Sequence, residues 1–518
     1  MQIDAYDPLT EAEQKLVAGC AAGGRITIGN GELPKEDSPG VSIRAGLIRM
    51  LLTGSDPALQ LHDKGLRLRG AWIAGPLDLQ GAEVSRDLSL TACRLTDRVE
   101  MVNARLRGVF FSGCGLAGIA ADNARLDGAL FLRAGTSVEG EISLAGARIA
   151  GDLQLCDLVI ASAGQDAVFA PSLSVDGSIF VGNYPYSNGE TSMVADGAIF
   201  LASASVGHDV FVTHCAITSK RDVIGGVFQG SEEHGADNAL SLARARIGGI
   251  LYFKDNQIAG GTVSLAGAHA ARFRDEPEGP GAVYPIRLDG FTYDDFSRHA
   301  ETDLKARLKW LERRPRDTPF TAQPYEQLAR VLQHIGNRAD ARTVLMRKER
   351  ILRWENRQDM ANPLRKLAVW GADSVMRVAV GYGYRPGRVL ALAVVLIFCL
   401  GLFFQKTWEA GDMAPNAAPI LVSQAWIAAT ESHPENPGAF WASVGQAGQD
   451  WETFQGFAYA ADIVIPIVNL GQESAWAPST ARGPWGRAGW WIRWFAKAAG
   501  WIITALGAAA VTGAVRND

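Results

Sequence analysis

The sequence predicts a mainly β fold: a stacked coil of short strands, capped by helices at its N-terminal end and followed by a helical, partly apolar C-terminal region. Three observations carry this. An apolar-x-apolar-x-x-small-x-apolar unit recurs about every eleven residues over 66–268. Glycine is frequent, 57 of 518 residues, which suits a chain that turns often. Residues 389–404 are almost wholly apolar.

Leu77, Leu79, Ala82 and Val84 make one unit, and Leu88, Leu90, Cys93 and Leu95 the next. Val99, Met101, Ala104 and Leu106 follow, then Val109, Phe111, Cys114 and Leu116. Alternation puts both members of a pair on one face of a strand. The phase shift between Leu79 and Ala82 requires a bend, so each unit supplies two sides of a coil. Two units then make a four-sided turn of roughly 22 residues, stacked at about 4.8 Å. A helix would scatter the same four residues around its axis. Each turn of such a solenoid buries its apolar face only against its neighbours.

Residues 1–65 read as a helical cap that covers the open end. Thr10 and Glu13 form a capping box, and a second helix spans roughly 41–52, closed by Gly54. The repeats occupy 66–272, with two interruptions. One runs from 182 to 193 and holds Asn183, Tyr184 and Tyr186. The other covers about 219–237 and holds Glu232, Glu233 and His234. Insertions into a repeat array map to surface loops, so these six residues are the candidate binding residues. A linker rich in Pro, Gly and acid, with a final strand, covers 273–296. Residues 297–388 read as a basic helical segment with a tetratricopeptide-like hairpin around Gly336 and Asn337. From 296 to 388 there are twenty Lys and Arg against ten Asp and Glu. A basic segment beside an apolar span favours anionic lipid of the inner leaflet over nucleic acid.

The membrane region is 389–518. The first expected span runs to Trp408 and the second covers 490–515, with Trp485, Trp490, Trp491, Trp494 and Trp501 as an interfacial belt. Residues 454–470 are apolar but short, and Asp462 and Pro466 interrupt them, so they read as re-entrant. Asp462, Asn469 and Gln472 form the candidate polar site of that segment. Basic residues before the first span, and none from 409 to 480, place the repeats in the cytoplasm.

Few motifs point to chemistry. Residues 113–118, GCGLAG, match GxGxxG, but Cys114 and Leu116 are in phase with the repeat, so the glycines read as turns rather than a dinucleotide site. Cys93, Cys114 and Cys215 occupy the small inward position of the repeat, where packing explains them. His208 and His214 read as exposed repeat positions without zinc spacing. The expectation is therefore no catalytic residue, no metal ligand and no cofactor.

The run 66–82, LRLRGAWIAGPLDLQGA, resembles right-handed β-helices of the pentapeptide-repeat-like kind. With 43–52, IRAGLIRMLL, and 323–329, QPYEQLA, the chain resembles a bacterial family of membrane-attached β-helix proteins, often labelled membrane-associated oxidoreductases. The resemblance implies a right-handed β-helix solenoid, a helical segment and transmembrane helices. The expected function is a membrane-tethered, non-enzymatic binding scaffold or sensor in the bacterial inner membrane, multi-pass, with a protein partner on the loops or a homo-oligomer. A channel-like membrane effector is the first alternative, and the oxidoreductase of the family label is the second.

Overall fold

The computed structural model describes residues 2–162, 164–186, 189, 191–219, 238–279, 281, 283–315, 318–358, 360–379 and 387–511. The chain divides into two compact units, Met1–Leu345 and Met346–Asp518.

In the first unit, three parallel sheets of 17, 9 and 8 strands are formed among the described residues. The chain visits them in rotation. Leu88–Thr91 lies in the largest sheet, Arg94–Leu95 in the second, Val99–Glu100 in the third, and Arg105–Leu106 returns to the largest. Val109–Ser112 then pairs with Leu88–Thr91 on one side and Leu130–Arg133 on the other, with Val109 opposite Leu88 and Leu130. The sequence repeat is thus expressed as strand register, which stacks apolar side chains on apolar side chains. Leu88, Leu90, Cys93, Leu95, Phe111 and Cys114 are all buried.

Each phase shift is met by a residue in the left-handed region. Asn103, Asn123, Ser172, Ser203 and Arg244 have φ of 56°, 55°, 57°, 59° and 58°. Each directly precedes an inward residue, such as Ala104, Ala124 or Ala245. Gly81, Gly146 and Gly267 hold the same place in other units. The conformation costs a side-chain-bearing residue about 1–2 kcal/mol, least for Asn and nothing for Gly. A polar residue enters the inward row only with partners. Asn256 is buried, accepts from the Cys215 amide (3.1 Å) and donates to the Val212 carbonyl (2.7 Å).

The N-terminal helices are α1 (Glu11–Gly19) and α2 (Ala45–Thr53). The capping box is present: the Glu13 amide donates to Thr10 Oγ1 (3.1 Å) and the Thr10 amide to Glu13 Oε2 (3.0 Å). The second helix starts later than the sequence suggests, because Ser42–Arg44 is a strand paired with Trp72–Ala74. Gly54 ends α2 with φ 61°. At the other end, strands Ile286–Arg287 and Thr292–Phe296 continue two of the sheets. Helices α3 (Leu304–Leu311) and α4 (Gln323–His334) lie in the same unit. Helix α5 (Arg338–Gln358) leads into the second unit.

The second unit continues with α6 (Pro363–Ala379), α7 (Gly387–Glu409), α8 (Ala418–Leu421), α9 (Gln424–Ser432), α10 (Pro437–Trp441), α11 (Gly456–Val464), α12 (Gln472–Ala475) and α13 (Pro484–Val511). One antiparallel ribbon joins Met413–Pro415 to Trp476–Pro478. Leu400 and Phe404 of α7 belong to a core with Phe454, Tyr459, Ile463 and Trp476. The Asp412 carboxylate accepts from the Gly483 (2.8 Å) and Gly486 (2.9 Å) amides and so anchors the start of α13.

The expected fold class is corrected on two points. The chain is α/β with parallel sheets, 33% helix and 25% strand, and not a mainly β right-handed β-helix solenoid of the pentapeptide-like kind. The strands are short, mostly two to four residues, while most of the chain beyond 303 is helical. The multi-span membrane region is corrected as well. Among the described residues α7 alone is long and apolar enough to cross a membrane. Helix α13 carries Arg487, Arg493 and Lys497 in its first half, and α11 has only nine residues.

Candidate functional site

The largest sheet carries an aromatic row on its strands. Register aligns Phe110 with Phe131, Phe131 with Gln154, Gln154 with Phe180, Phe180 with Phe211, Phe211 with Tyr252 and Tyr252 with Arg274. These positions alternate with the inward Val109, Phe111, Ile179 and Val181. Phe180 and Phe211 stack with ring centres 5.1 Å apart, and Phe211 meets Tyr252 edge-on at 5.7 Å. The Arg274 guanidinium lies 4.7 Å from the Tyr252 ring centre. Such ring pairs add about 0.5–1.5 kcal/mol each beyond their buried area.

Tyr184 and Tyr186 of the 182–193 insertion are built onto this row. Tyr184 packs edge-on against Phe180 at 5.2 Å, and Tyr186 meets both rings, at 6.4 Å from Phe180 and 5.5 Å from Tyr184. Asn183 closes the base: its Oδ1 accepts from the Thr191 amide (3.0 Å), and Thr191 Oγ1 accepts from the Tyr184 amide (2.9 Å). Tyr186 nevertheless stays 74% exposed. A phenol held by two rings and facing solvent is an inexpensive binding element, because little side-chain freedom remains to be lost. Of the second insertion, Glu232, Glu233 and His234 lie outside the described residues.

Beside this face is a polar cavity of about 520 Å³. The sheet brings its residues together: Thr213 is opposite Lys254, so the left-handed His214 and Asp255 that follow fall side by side. Lys254 Nζ lies 2.9 Å from Glu276 and 3.2 Å from Asp255, and His214 Nε2 is 3.7 Å from Asp255. His214 Nδ1 is buried without a hydrogen-bond partner among the described residues. His214, expected to be an exposed repeat position, is therefore half-buried at a cavity that sequence reasoning did not find. The hydrogen bonds that Lys254 donates to Glu276 and Asp255 hold its ammonium above its ordinary pKa. It is a charged hydrogen-bond donor, not an amine nucleophile. Burial pushes the Cys93 thiol up to about 12, Cys114 to about 11 and Cys156 to about 12. These thiols are packing groups.

The GxGxxG run does not open a helix. Gly113 has φ 63° at a bend, Gly115–Leu116 is a strand and Ile119–Ala120 is the next. No pyrophosphate-binding helix N-terminus is present there.

In the second unit the three sequence-selected polar residues lie on one short stretch and serve its backbone. Asp462 accepts from the Leu470 and Glu473 amides, both at 2.8 Å. Gln472 accepts from the Gln455 amide (2.9 Å) and donates to the Thr453 carbonyl (2.8 Å). Asn469 accepts from the Gly471 amide (3.0 Å). Both Asp462 oxygens are committed to the turn that follows α11. The neighbouring Glu473 pairs with Arg493 at 2.8 Å and with Lys497.

No protein-family model, curated protein or solved structure matches the chain, so none identifies the family that the repeats resemble.

Proposed function

We propose that this chain is a membrane-tethered binding scaffold or sensor and not an enzyme. The single observation that carries the tether is α7. Its 23 residues reach about 34 Å, enough for a hydrocarbon core. Leu390, Val394, Val395, Phe398 and Leu402 on it are exposed in the protein alone. Arg365, Lys366 and Arg377 precede α7, Arg388 lies in its first turn, and no Lys or Arg occurs from 409 to 480. That bias favours a bacterial inner membrane with the first unit in the cytoplasm, and an anionic inner leaflet as one partner.

The second partner is a protein that reads Tyr184 and Tyr186 on the sheet face. Large rigid aromatics recur as interface anchors. Co-purification with full-length protein in phosphatidylcholine nanodiscs tests this. A partner retained by the wild type and released by Tyr186→Ser, with an unchanged unfolding temperature, supports the reading. A second copy of this chain is one such partner, read as a mass change in light scattering. Equal retention by wild type and variant, or no partner on either, contradicts it.

A further inference from the structure

Helices α5 and α6 enclose a cavity of about 370 Å³ whose lining is unusually basic. Arg347, Arg350, Trp354 and Arg357 fall at spacings of three, four and three residues, which places them on one face of α5. Trp370, Asp373 and Arg377 face them from α6. Four arginines therefore line the cavity with a single carboxylate. That carboxylate, Asp373, is buried and bonded to Arg357 at 2.7 Å, with Arg353 3.7 Å away. It fixes one wall by pairing with Arg357. Arg350 and Arg377 are exposed. Trp354 and Trp370 are 52% and 56% exposed.

The place of this cavity in the fold matters as much as its charge. Met376, next to Arg377, packs with Val389 at the start of α7, together with Ile503 and Leu506 of α13. Arg377 is therefore close to the N-terminal end of the apolar helix, the end that the tethered reading sets at the level of the lipid phosphates. Leu364 and Leu367, three residues apart on α6 and in step with Trp370, are exposed as well. An apolar stripe with tryptophan beside a cationic pocket matches the layering of a membrane interface. The planar guanidinium fork matches phosphate oxygens two at a time.

We propose that this cavity is a phosphate-ester site, occupied by the headgroup of an anionic phospholipid of the leaflet that α7 enters. Arg350 and Arg377 grip the phosphate, and the two tryptophans shield it. The inference rests on the membrane-tethered reading. Soluble phosphate has the same chemistry, and the experiment separates the two sources.

The test is native mass spectrometry of the full-length, detergent-purified protein titrated with phosphatidylglycerol or phosphatidylcholine. The expected result is at least one phosphatidylglycerol retained about tenfold more strongly than phosphatidylcholine, with a preference that weakens as salt rises. Arg350→Gln with Arg377→Gln removes the preference. Arg105→Gln with Arg107→Gln, the same charge change in the first unit, leaves it. Equal retention of both lipids, or a preference unaffected by the Arg350 and Arg377 changes, overturns the proposal. If millimolar inorganic phosphate alone occupies the site and phosphatidylglycerol does not, the lipid source is overturned. Resistance of the same variants to alkaline carbonate extraction reads the α7 tether separately, so loss of the headgroup site is distinguished from loss of the anchor.

Discussion

The buried pair Arg307–Asp275 offers the sharpest test of how the last strands are held. Arg307 on α3 is 1% exposed. Its Nη1 donates to Asp275 Oδ1 at 2.6 Å and its Nε to the Glu301 carbonyl at 2.6 Å, while its guanidinium lies 4.6 Å from the Phe296 ring centre. Nη2 is buried without a hydrogen-bond partner among the described residues. Burial pushes the Asp275 carboxyl upward against the opposing pull of Arg307. Asp275→Leu alone would strand a cation among Phe273, Phe296 and Trp310, at a cost of about 3–5 kcal/mol. Arg307→Met alone would strand the carboxylate at a similar cost. The double variant replaces both charges with apolar groups, and such exchanges are often neutral. The expected interaction energy in the double-mutant cycle is therefore several kcal/mol. Hydrogen exchange of the 292–296 amides, followed by mass spectrometry in the full-length protein, reads it locally. Single variants that cost under about 1 kcal/mol, or a double variant equal to the sum of the singles, would refute the argument.

Two further outcomes follow from the first unit. Burial opposes ionisation of Glu13, but hydrogen bonds from Arg44 and Thr10 outweigh it and hold the pKa below the ordinary value of 4.5. The pair thus contributes stability that is present above that value and lost as pH falls through the folded pKa. Glu13→Gln should cost about 1.5–3 kcal/mol at pH 7 and flatten the acid limb of the unfolding profile; an unchanged acid limb would show that Glu13 does not drive it. Gln154 is buried within the aromatic row with Oε1 unpaired. Gln154→Leu should raise stability by about 1 kcal/mol, read as a higher urea midpoint; a loss would mean that the amide is needed there.

The core was legible because one period governs it. Spacing alone places Leu88, Cys93, Phe111 and Cys114 inward, and the phase shift alone requires the bend between pairs, which the left-handed residues supply. The sequence reading went wrong where tertiary context overrode local signal. Ser42–Arg44 continues a helical pattern, yet its backbone pairs with Trp72–Ala74. Asp275 opens a stretch rich in Pro, Gly and acid that reads as linker, yet Arg307, 32 residues away, draws it into the core. The aromatic run of 490–501 suggested a second span, but it shares its helix with cations that pair to Glu473. The cavity at His214 left no signal in sequence, because His214 and Asp255 meet only through register between strands 41 residues apart. Asp462 stands out in sequence as a carboxylate within an apolar stretch, and in the structure its oxygens accept from the Leu470 and Glu473 amides of the turn that follows it.

The tether can be tested with a residue already in place. Cys20, Cys93, Cys114, Cys156 and Cys215 are buried in the first unit, and Cys399 is exposed in the middle of α7. In native membranes containing the full-length protein, a membrane-impermeant maleimide should leave Cys399 unlabelled from either side. Denaturing detergent should then expose all six thiols. Rapid labelling of Cys399 in intact membranes, or recovery of the wild-type protein in the soluble fraction, would contradict a bilayer-spanning α7 and with it the membrane-tethered account.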